Sequence, residues 1–264
     1  MRCCVGAGSK RQTDLLAQEE PLEIRVRGRS VAVTMRTPGN DRELAAGFLL
    51  TEGIIHRHEE VREIAPCLES DAAENTLNVF LAPSVQVDFE KLTRHVFATS
   101  SCGLCGKASI DAVHQHFGPI ESKVTISDKA LTQLPERLRA NQRAFTQTGG
   151  LHAAAIFDRA GKLLVSREDV GRHNAVDKVL GFGLLENLLP FDEHILLVSG
   201  RASFEIMQKA LAARIPIILA ISAPSSLAVE FARDSGQTLV GFLRGQTMNI
   251  YSHPERIKES RLRE

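Results

Sequence analysis

No run of this 264-residue chain is long and apolar enough to cross a bilayer; the most apolar stretches, residues 195–199 and 215–221, fall far short of the ~20 residues a spanning helix needs. The first eleven residues lack the apolar centre of a secretory signal. A soluble, cytoplasmic protein with reduced thiols is therefore expected. The five cysteines then form no disulfide framework. Net charge is missing too, because Lys+Arg and Asp+Glu both number 32. That excludes a whole-protein basic field that would drive non-specific nucleic-acid binding and leaves only local basic patches open; no nucleic-acid partner is expected. There is no internal repeat, no low-complexity segment and no second Cys-x-x-Cys.

What is present divides into two rhythms. Residues 1–20 read as a disordered tail. From residue 21 to 99 the pattern is that of a small α+β domain. Residues 22–26 and 31–35 alternate around Arg27-Gly28-Arg29-Ser30, which predicts a hairpin. Asn40 or Asp41 then caps a helix that stops at Gly53, and residues 61–64 and 76–81 are further strands. Residues 108–264 alternate strand and helix. Strands are expected at 151–157, 162–166, 195–199, 217–221 and 238–243, the last in the chain. Helices are expected at 127–142, 171–189, 203–214 and 225–235. This alternation predicts an α/β domain with a mostly parallel sheet covered on both faces.

Between the two lies a loop, 100–107, inside the run Thr99-Ser100-Ser101-Cys102-Gly103-Leu104-Cys105-Gly106. Two close thiols are a redox couple, half a metal site or a place to carry sulfur. A thioredoxin-type site has an aromatic before its first cysteine, where this chain has Ser101. Structural zinc needs about four ligands, and only Cys3, Cys4 and Cys67 remain to complete a set. Lys107 and a helix starting near Ala108 favour thiolate on the loop, which suits sulfur carriage best.

A hairpin followed by a helix that begins with His173 is the layout of the cytidine-deaminase fold. Its chemistry is absent. The helix reads His173-Asn174-Ala175 instead of His-x-Glu, and the next strand–helix junction reads Ser199-Gly200-Arg201-Ala202-Ser203 instead of Pro-Cys-x-x-Cys. A deaminase-like hydrolase is thus disfavoured, and His173 is either a hydrogen-bonded helix-start residue or a ligand-binding one. The turns at Gly200 and Ser225 each run from an apolar strand into a helix. With Arg201 and Arg244 beside them, they are ordinary caps or a site for a phosphorylated, nucleotide-like ligand.

The Cys102–Cys105 run, Arg167-Glu168-Asp169-Val170-Gly171-Arg172-His173-Asn174-Ala175-Val176-Asp177-Lys178, Ser199-Gly200-Arg201 and Gly241-Phe242-Leu243-Arg244 occur in an order that closely resembles the FdhD family of formate dehydrogenase accessory sulfurtransferases. The likeness runs from about residue 22 to the C-terminus. It implies a cytidine-deaminase-like three-layer αβα domain with a smaller N-terminal α+β domain, in a homodimer. It also implies a persulfide carrier that is loaded by a cysteine desulfurase and delivers to the molybdenum cofactor, a bis(molybdopterin guanine dinucleotide), for the catalytic subunit of formate dehydrogenase. By position Cys102 would bear the persulfide, with Cys105 assisting. His173, Gly200, Arg201 and the stretch Phe242, Leu243, Arg244, Gly245, Gln246, Thr247 would bind the cofactor, for which GDP is a partial mimic. No metal site is implied. The alternative is a zinc-stabilised chaperone that binds the cofactor without sulfur chemistry.

Overall fold

The computed structural model describes residues 13–67, 73–89 and 117–259, with the main chain of a two-stranded antiparallel ladder, β1 (Arg2–Cys3) and β2 (Ser9–Lys10). Most of the expected tail, the domain boundary near residue 99 and the Cys102–Cys105 loop lie outside the described residues.

β3 (Glu20–Val26) and β4 (Arg29–Arg36) form the expected hairpin. Arg27 and Gly28 turn it with φ of 51° and 75°, the pair of left-handed residues that matches strand twist in a two-residue loop. Helix α1 (Asp41–Thr51) follows. Asn40 occupies its N-cap position, but its side chain makes no capping bond; Asp41 and Glu43 in the first turn favour the helix N-terminus instead. Gly53 stops the helix as expected, at φ 70°. β5 (Val61–Pro66) and β6 (Thr76–Leu81) complete a four-stranded sheet in the order β4-β3-β6-β5.

The second half begins with β7 (Ile126–Ser127). The single helix expected over 127–142 is broken into α2 (Asp128–Leu131) and α3 (Leu134–Asn141), and a further helix, α4 (Arg143–Thr148), follows beyond it. Ser127 caps the first by accepting from the Ala130 N–H. Pro135 near the start of α3 has no N–H to continue the ladder, which accounts for the first break. Next come β8 (His152–Phe157), β9 (Leu163–Asp169), α5 (Arg172–Leu185), β10 (Ile195–Val198), α6 (Phe204–Ala212), β11 (Ile217–Ala220), α7 (Ser226–Asp234), β12 (Thr238–Arg244), β13 (Thr247–Ser252) and β14 (Ile257–Lys258). Helix α5 ends four residues before the expected 189, where Asn187 turns left-handed.

The main sheet has the order β13-β12-β11-β10-β8-β9. It is mixed, not mostly parallel. β10, β11 and β12 run parallel, but β8 is antiparallel to both β10 and β9, and β13 to β12. Two tight hairpins force this: a turn of a few residues can only join antiparallel strands. Alternate residues divide between two cores. Ala154, Ile156, Leu196, Val198, Ile218 and Leu239 join the cluster built with α1, α5, α6, α7 and the N-terminal sheet. Ala155, Phe157, Ile195, Leu197, Leu219 and Val240 face Leu131, Leu134 and Leu138 of α2 and α3. The domain is a three-layer αβα sandwich as expected, and its first core is continuous with the N-terminal sheet. No helix among the described residues is long and apolar enough to cross a membrane.

Candidate functional site

The long run 167–178 spans the end of β9 and the start of α5, and most of its polar side chains are spent on holding the fold. Arg167 makes a two-pronged contact to Glu43 of α1, at 2.5 and 2.6 Å. Glu168 accepts from the Ala144 and Phe145 N–H groups and so caps α4. Asp169 is fully buried and pairs with buried Lys178 at 2.7 Å. It also accepts from the N–H groups of Thr37 and Gly171 and from Asn174. Asn174 donates as well to the Met35 carbonyl, and Lys178 to the Thr37 carbonyl. Asp177 accepts from Lys209 of α6 and from the Thr51 hydroxyl at 2.9–3.0 Å. Burial opposes the Lys209 charge, but Asp177, Glu205 and Glu52 outweigh it and hold the ammonium above its ordinary range. Two polar side chains of the run take no part in these ties, Arg172 and His173.

Both sit where β8, β10 and α5 meet. β8 runs against β10, so its first residue, His152, stands beyond the last, Val198, next to the turn into α6. Ser199 closes the strand end, its hydroxyl accepting from the Ala153 N–H at 2.9 Å. Gly200 faces His152 and Arg172: a Cβ placed there would lie 3.3 Å from His152 Nδ1 and 3.7 Å from Arg172 Cδ. Burial first, then the charges of Arg172 and Arg201, push His152 below the usual histidine range.

His173 lies between two polar partners. Its Nδ1 is 3.2 Å from a Glu205 carboxylate oxygen and its Nε2 is 3.4 Å from the Ser203 hydroxyl. Burial, then Arg172, Lys209 and His152, lower it to about 3. The ring is therefore neutral, and its approach to Glu205 is a close polar contact, not an ion pair. Its one hydrogen-bond partner among the described residues is the Ser203 hydroxyl, at Nε2. A zinc-bearing deaminase would place a metal ligand at each of His173, Gly200 and Ser203. Here Gly200 has no side chain, and the other two bond each other.

The low value of His173 has a consequence for stability. An unfolded chain protonates this histidine near 6.5, whereas the fold resists protonation down to about 3. Its contribution is thus complete above about 6.5 and is lost as pH falls toward about 3. The wild type is expected to melt at lower temperature at about pH 5 than at about pH 7.5, and His173→Gln to lose part of that dependence. Equal pH dependence of the two melting curves would refute the assignment.

The two strand–helix turns differ. Ser225 caps its own helix by accepting from the Ala228 N–H. Ser203, at the same position of α6, makes no capping bond and is turned to His173. The turns adjoin: Ala202 bridges to Pro224, and the Ser225 N–H donates to the Ala202 carbonyl. Arg244 reaches back to the Ile221 carbonyl at 3.1 Å. Ile221 in turn lines an open cleft of about 640 Å³, with Arg139, Phe145, Leu151, His152 and Ser199.

Of the residues expected to bind a ligand, His173, Gly200 and Arg201 gather at this corner, and Arg244 adjoins it through Ile221. Phe242, Gly245, Gln246 and Thr247 lie on the β12–β13 hairpin. Phe242 is half-exposed, Gly245 has φ 55°, and the Thr247 hydroxyl donates to the Arg244 carbonyl. The Leu243 side chain is buried in the second core, so a ligand could meet only its main chain. Cys67 is a buried thiol 3.8 Å from the Arg25 guanidinium. No group of three or more His, Cys, Asp or Glu among the described residues could hold a metal ion. Sequence reading missed His152, Arg172 and Glu205. The first two carried a signal, a histidine after Gly149-Gly150 at a strand start and an arginine at a helix start just before His173.

Comparison with known proteins gives this geometry its context. The model of the FdhD/NarQ family matches residues 17–258. The sulfur carrier protein FdhD of Streptomyces coelicolor is 51% identical over 259 residues, covering 96% of this chain and 92% of its own length. That of Mycobacterium tuberculosis is 51% identical over 253 residues, with 92% of each chain covered. That of the archaeon Sulfolobus acidocaldarius is 48% identical over 244 residues, covering 92% of this chain and 91% of its own. A crystal structure of a putative formate dehydrogenase accessory protein from Desulfotalea psychrophila superposes with a TM-score of 0.73 at 28% identity, over 93% of this chain and 91% of that one. A family model that spans nearly the whole chain, relatives this similar and a shared fold establish that the chain belongs to the FdhD/NarQ family.

Proposed function

We propose that this protein is a cytoplasmic sulfur carrier serving formate dehydrogenase. Cys102 takes sulfur from a cysteine desulfurase and holds it as a persulfide. The Cys102 thiolate attacks the outer sulfur of the donor's persulfide, a new S–S bond forms, and the donor cysteine leaves as thiolate. Cys105, three residues on, assists by relay or resolution. The Cys105 thiolate then attacks Cys102, the persulfide S–S bond breaks, a Cys102–Cys105 disulfide forms, and the outer sulfur leaves as sulfide for the molybdenum cofactor, a bis(molybdopterin guanine dinucleotide), which is the acceptor substrate and not a resident group. The working unit is a homodimer, and the catalytic subunit of formate dehydrogenase is the final partner.

The observation that carries this reading is the presence, within one FdhD/NarQ chain, of Cys102-Gly103-Leu104-Cys105 together with a strand-end corner where the buried Arg172 Nε has no partner among the described residues. The corner fits such an acceptor. Gly200 lets the turn's main chain approach His152 and Arg172 closely, Arg201 follows it, and neutral His152 can donate. The protein's residues would bind and orient the nucleotide arms there. The half-exposed Phe242 hairpin offers apolar and main-chain contacts nearby.

Intact-protein mass spectrometry after incubation with a cysteine desulfurase and cysteine tests the reading. The wild type is expected to gain sulfur that a reductant removes, and Cys102→Ala to gain none. No gain with an active donor would overturn it. Stoichiometric zinc that disappears in Cys102→Ser/Cys105→Ser would then identify a zinc-stabilised chaperone.

A further inference from the structure

We propose that the cleft walled by α3 and α4 is a ring-binding site, on the other side of the main sheet from α5, in which Gln142 and Glu136 read the lactam edge of a flat heteroaromatic ring stacked against Arg139 and Phe145. Assigning that ring to a guanine or pterin group of the acceptor rests on the function proposed above; the site itself rests on three observations.

The first is space. The cleft has a volume of about 640 Å³, within the ~300–1,000 Å³ usual for small-molecule sites. Leu151 and Ile221 give it an apolar floor, and Glu136, Arg139, Gln142 and Phe145 line its helical wall.

The second is an unused amide. Gln142 is only 5% exposed and stands at the joint where α3 ends and α4 begins. Its main chain is satisfied: the N–H donates to the Arg139 carbonyl, and the carbonyl accepts from the Thr146 N–H and hydroxyl. Its side chain holds the N-cap position of α4 but makes no capping bond, because Glu168 already accepts from the Ala144 and Phe145 N–H groups. The carboxamide therefore has no partner among the described residues. A polar group withdrawn from water and left unpaired is costly, which points to a partner supplied from outside the chain. A carboxamide both donates and accepts, so it matches a ligand edge that carries C=O beside N–H. Glu136 adds a carboxylate that can accept from a ring N–H and an adjacent amino group.

The third is a half-built stack. The Arg139 guanidinium lies over the Phe145 ring, 4.3 Å from its centroid. Neither Arg139 nor Glu136 forms an ion pair among the described residues. Arg139 is exposed, so the side of its guanidinium away from Phe145 is open. Guanidinium planes stack on aromatic faces, and a ligand ring would complete the stack.

Isothermal titration of the full-length protein with guanosine, neopterin and adenosine tests this. Guanosine and neopterin share the lactam edge and its neighbouring amino group; adenosine lacks both, and none of the three carries phosphate. Guanosine or neopterin is expected to bind at least about tenfold more tightly than adenosine, and the one that does identifies the ring as guanine or pterin. Gln142→Leu keeps the bulk and removes the amide, and is expected to cut that margin to about threefold or less. Glu136→Gln, at an exposed position, should narrow it as well. Arg139→Gln is also exposed and should weaken all three ligands by roughly three- to tenfold while keeping the margin. No margin over adenosine in the wild type, or a margin unchanged in both Gln142→Leu and Glu136→Gln, would overturn the proposal. Persulfide loading of Cys102 is read separately in the same variants. Its failure would count against the sulfur-carrier reading, and failure of ring discrimination alone against this one.

Discussion

Replacing Gly181 with alanine is expected to leave little folded protein. Helices α1 and α5 cross with their backbones in contact. A Cβ on Gly181 would stand 1.8 Å from the Glu43 carbonyl oxygen, and one on Gly47 would stand 1.9 Å from the Asp177 carbonyl oxygen. Neither obstacle is a side-chain tip that can swing away; both are main chain. Accommodating a methyl group would mean separating the two helices, and with them the buried faces that Leu44, Val176 and Leu180 contribute to the core. Overpacking commonly costs 1–3 kcal/mol, and a clash with rigid backbone should reach or exceed about 3 kcal/mol. That is a large share of the stability of an ordinary domain. Thermal melts of Gly181→Ala and Gly47→Ala are the measurement. Gly118→Ala is the control, since a Cβ there meets nothing within 4 Å. A Gly181→Ala protein that melts within a few degrees of wild type would show that the helices do not approach so closely. The crossing also matters for the site. It seats Glu43 against Arg167 and Thr51 against Asp177, and so sets α5, which presents Arg172 and His173 to the corner.

This joint explains why the fold was more legible in the sequence than the site. Strand β6 falls on the six residues expected, and β10 and β11 fall within one residue of expectation, because short runs of Ile, Leu, Val and Ala between turns leave few alternatives. Strand direction was legible for the 151–166 hairpin but not for the sheet as a whole, since fully buried strands read alike whichever way they run. The connection length decides, and the 158–161 turn held that information. β13 was missed because it is a mostly exposed edge strand, so Thr-Met-Asn-Ile-Tyr-Ser shows no clear alternation of burial. The same ambiguity affects the site. Within the run 167–178, acid, amide and base all look like chemistry. Only the partners, 124 to 141 residues away in sequence, reveal that Arg167, Asn174 and Lys178 are ties to the N-terminal sheet and α1. Likewise Ser203 and Ser225 are indistinguishable as letters; one caps its helix and the other bonds a histidine.

Lys178→Met should be the most damaging change among the charged residues of that run. Lys178 and Asp169 are buried almost completely, 1% and 0% exposed, and bond at 2.7 Å. The remaining Asp169 acceptor positions are filled by Thr37, Gly171 and Asn174. Methionine would match the length of the lysine stem but leave a carboxylate in the core with donors and no counter-charge. Removing one partner of a buried pair typically costs about 3–5 kcal/mol. The loss would be concentrated where residues 35–37, just past β4, meet the start of α5, because Lys178 also donates to the Thr37 carbonyl. Chemical denaturation of the single variants and of Asp169→Asn/Lys178→Met separates the causes. If the stranded charge is the main cost, the double variant should be more stable than Lys178→Met alone by at least about 1 kcal/mol, since no net charge then remains in the core. If the double variant is instead as unstable as the sum of the two single changes, the pair is not coupled as the distances indicate. The outcome bears on how sequences of this family are read. A run of twelve residues can commit most of its polar side chains to holding two sheets and a helix crossing together, as the partners of Arg167, Asp169, Asn174, Asp177 and Lys178 show here.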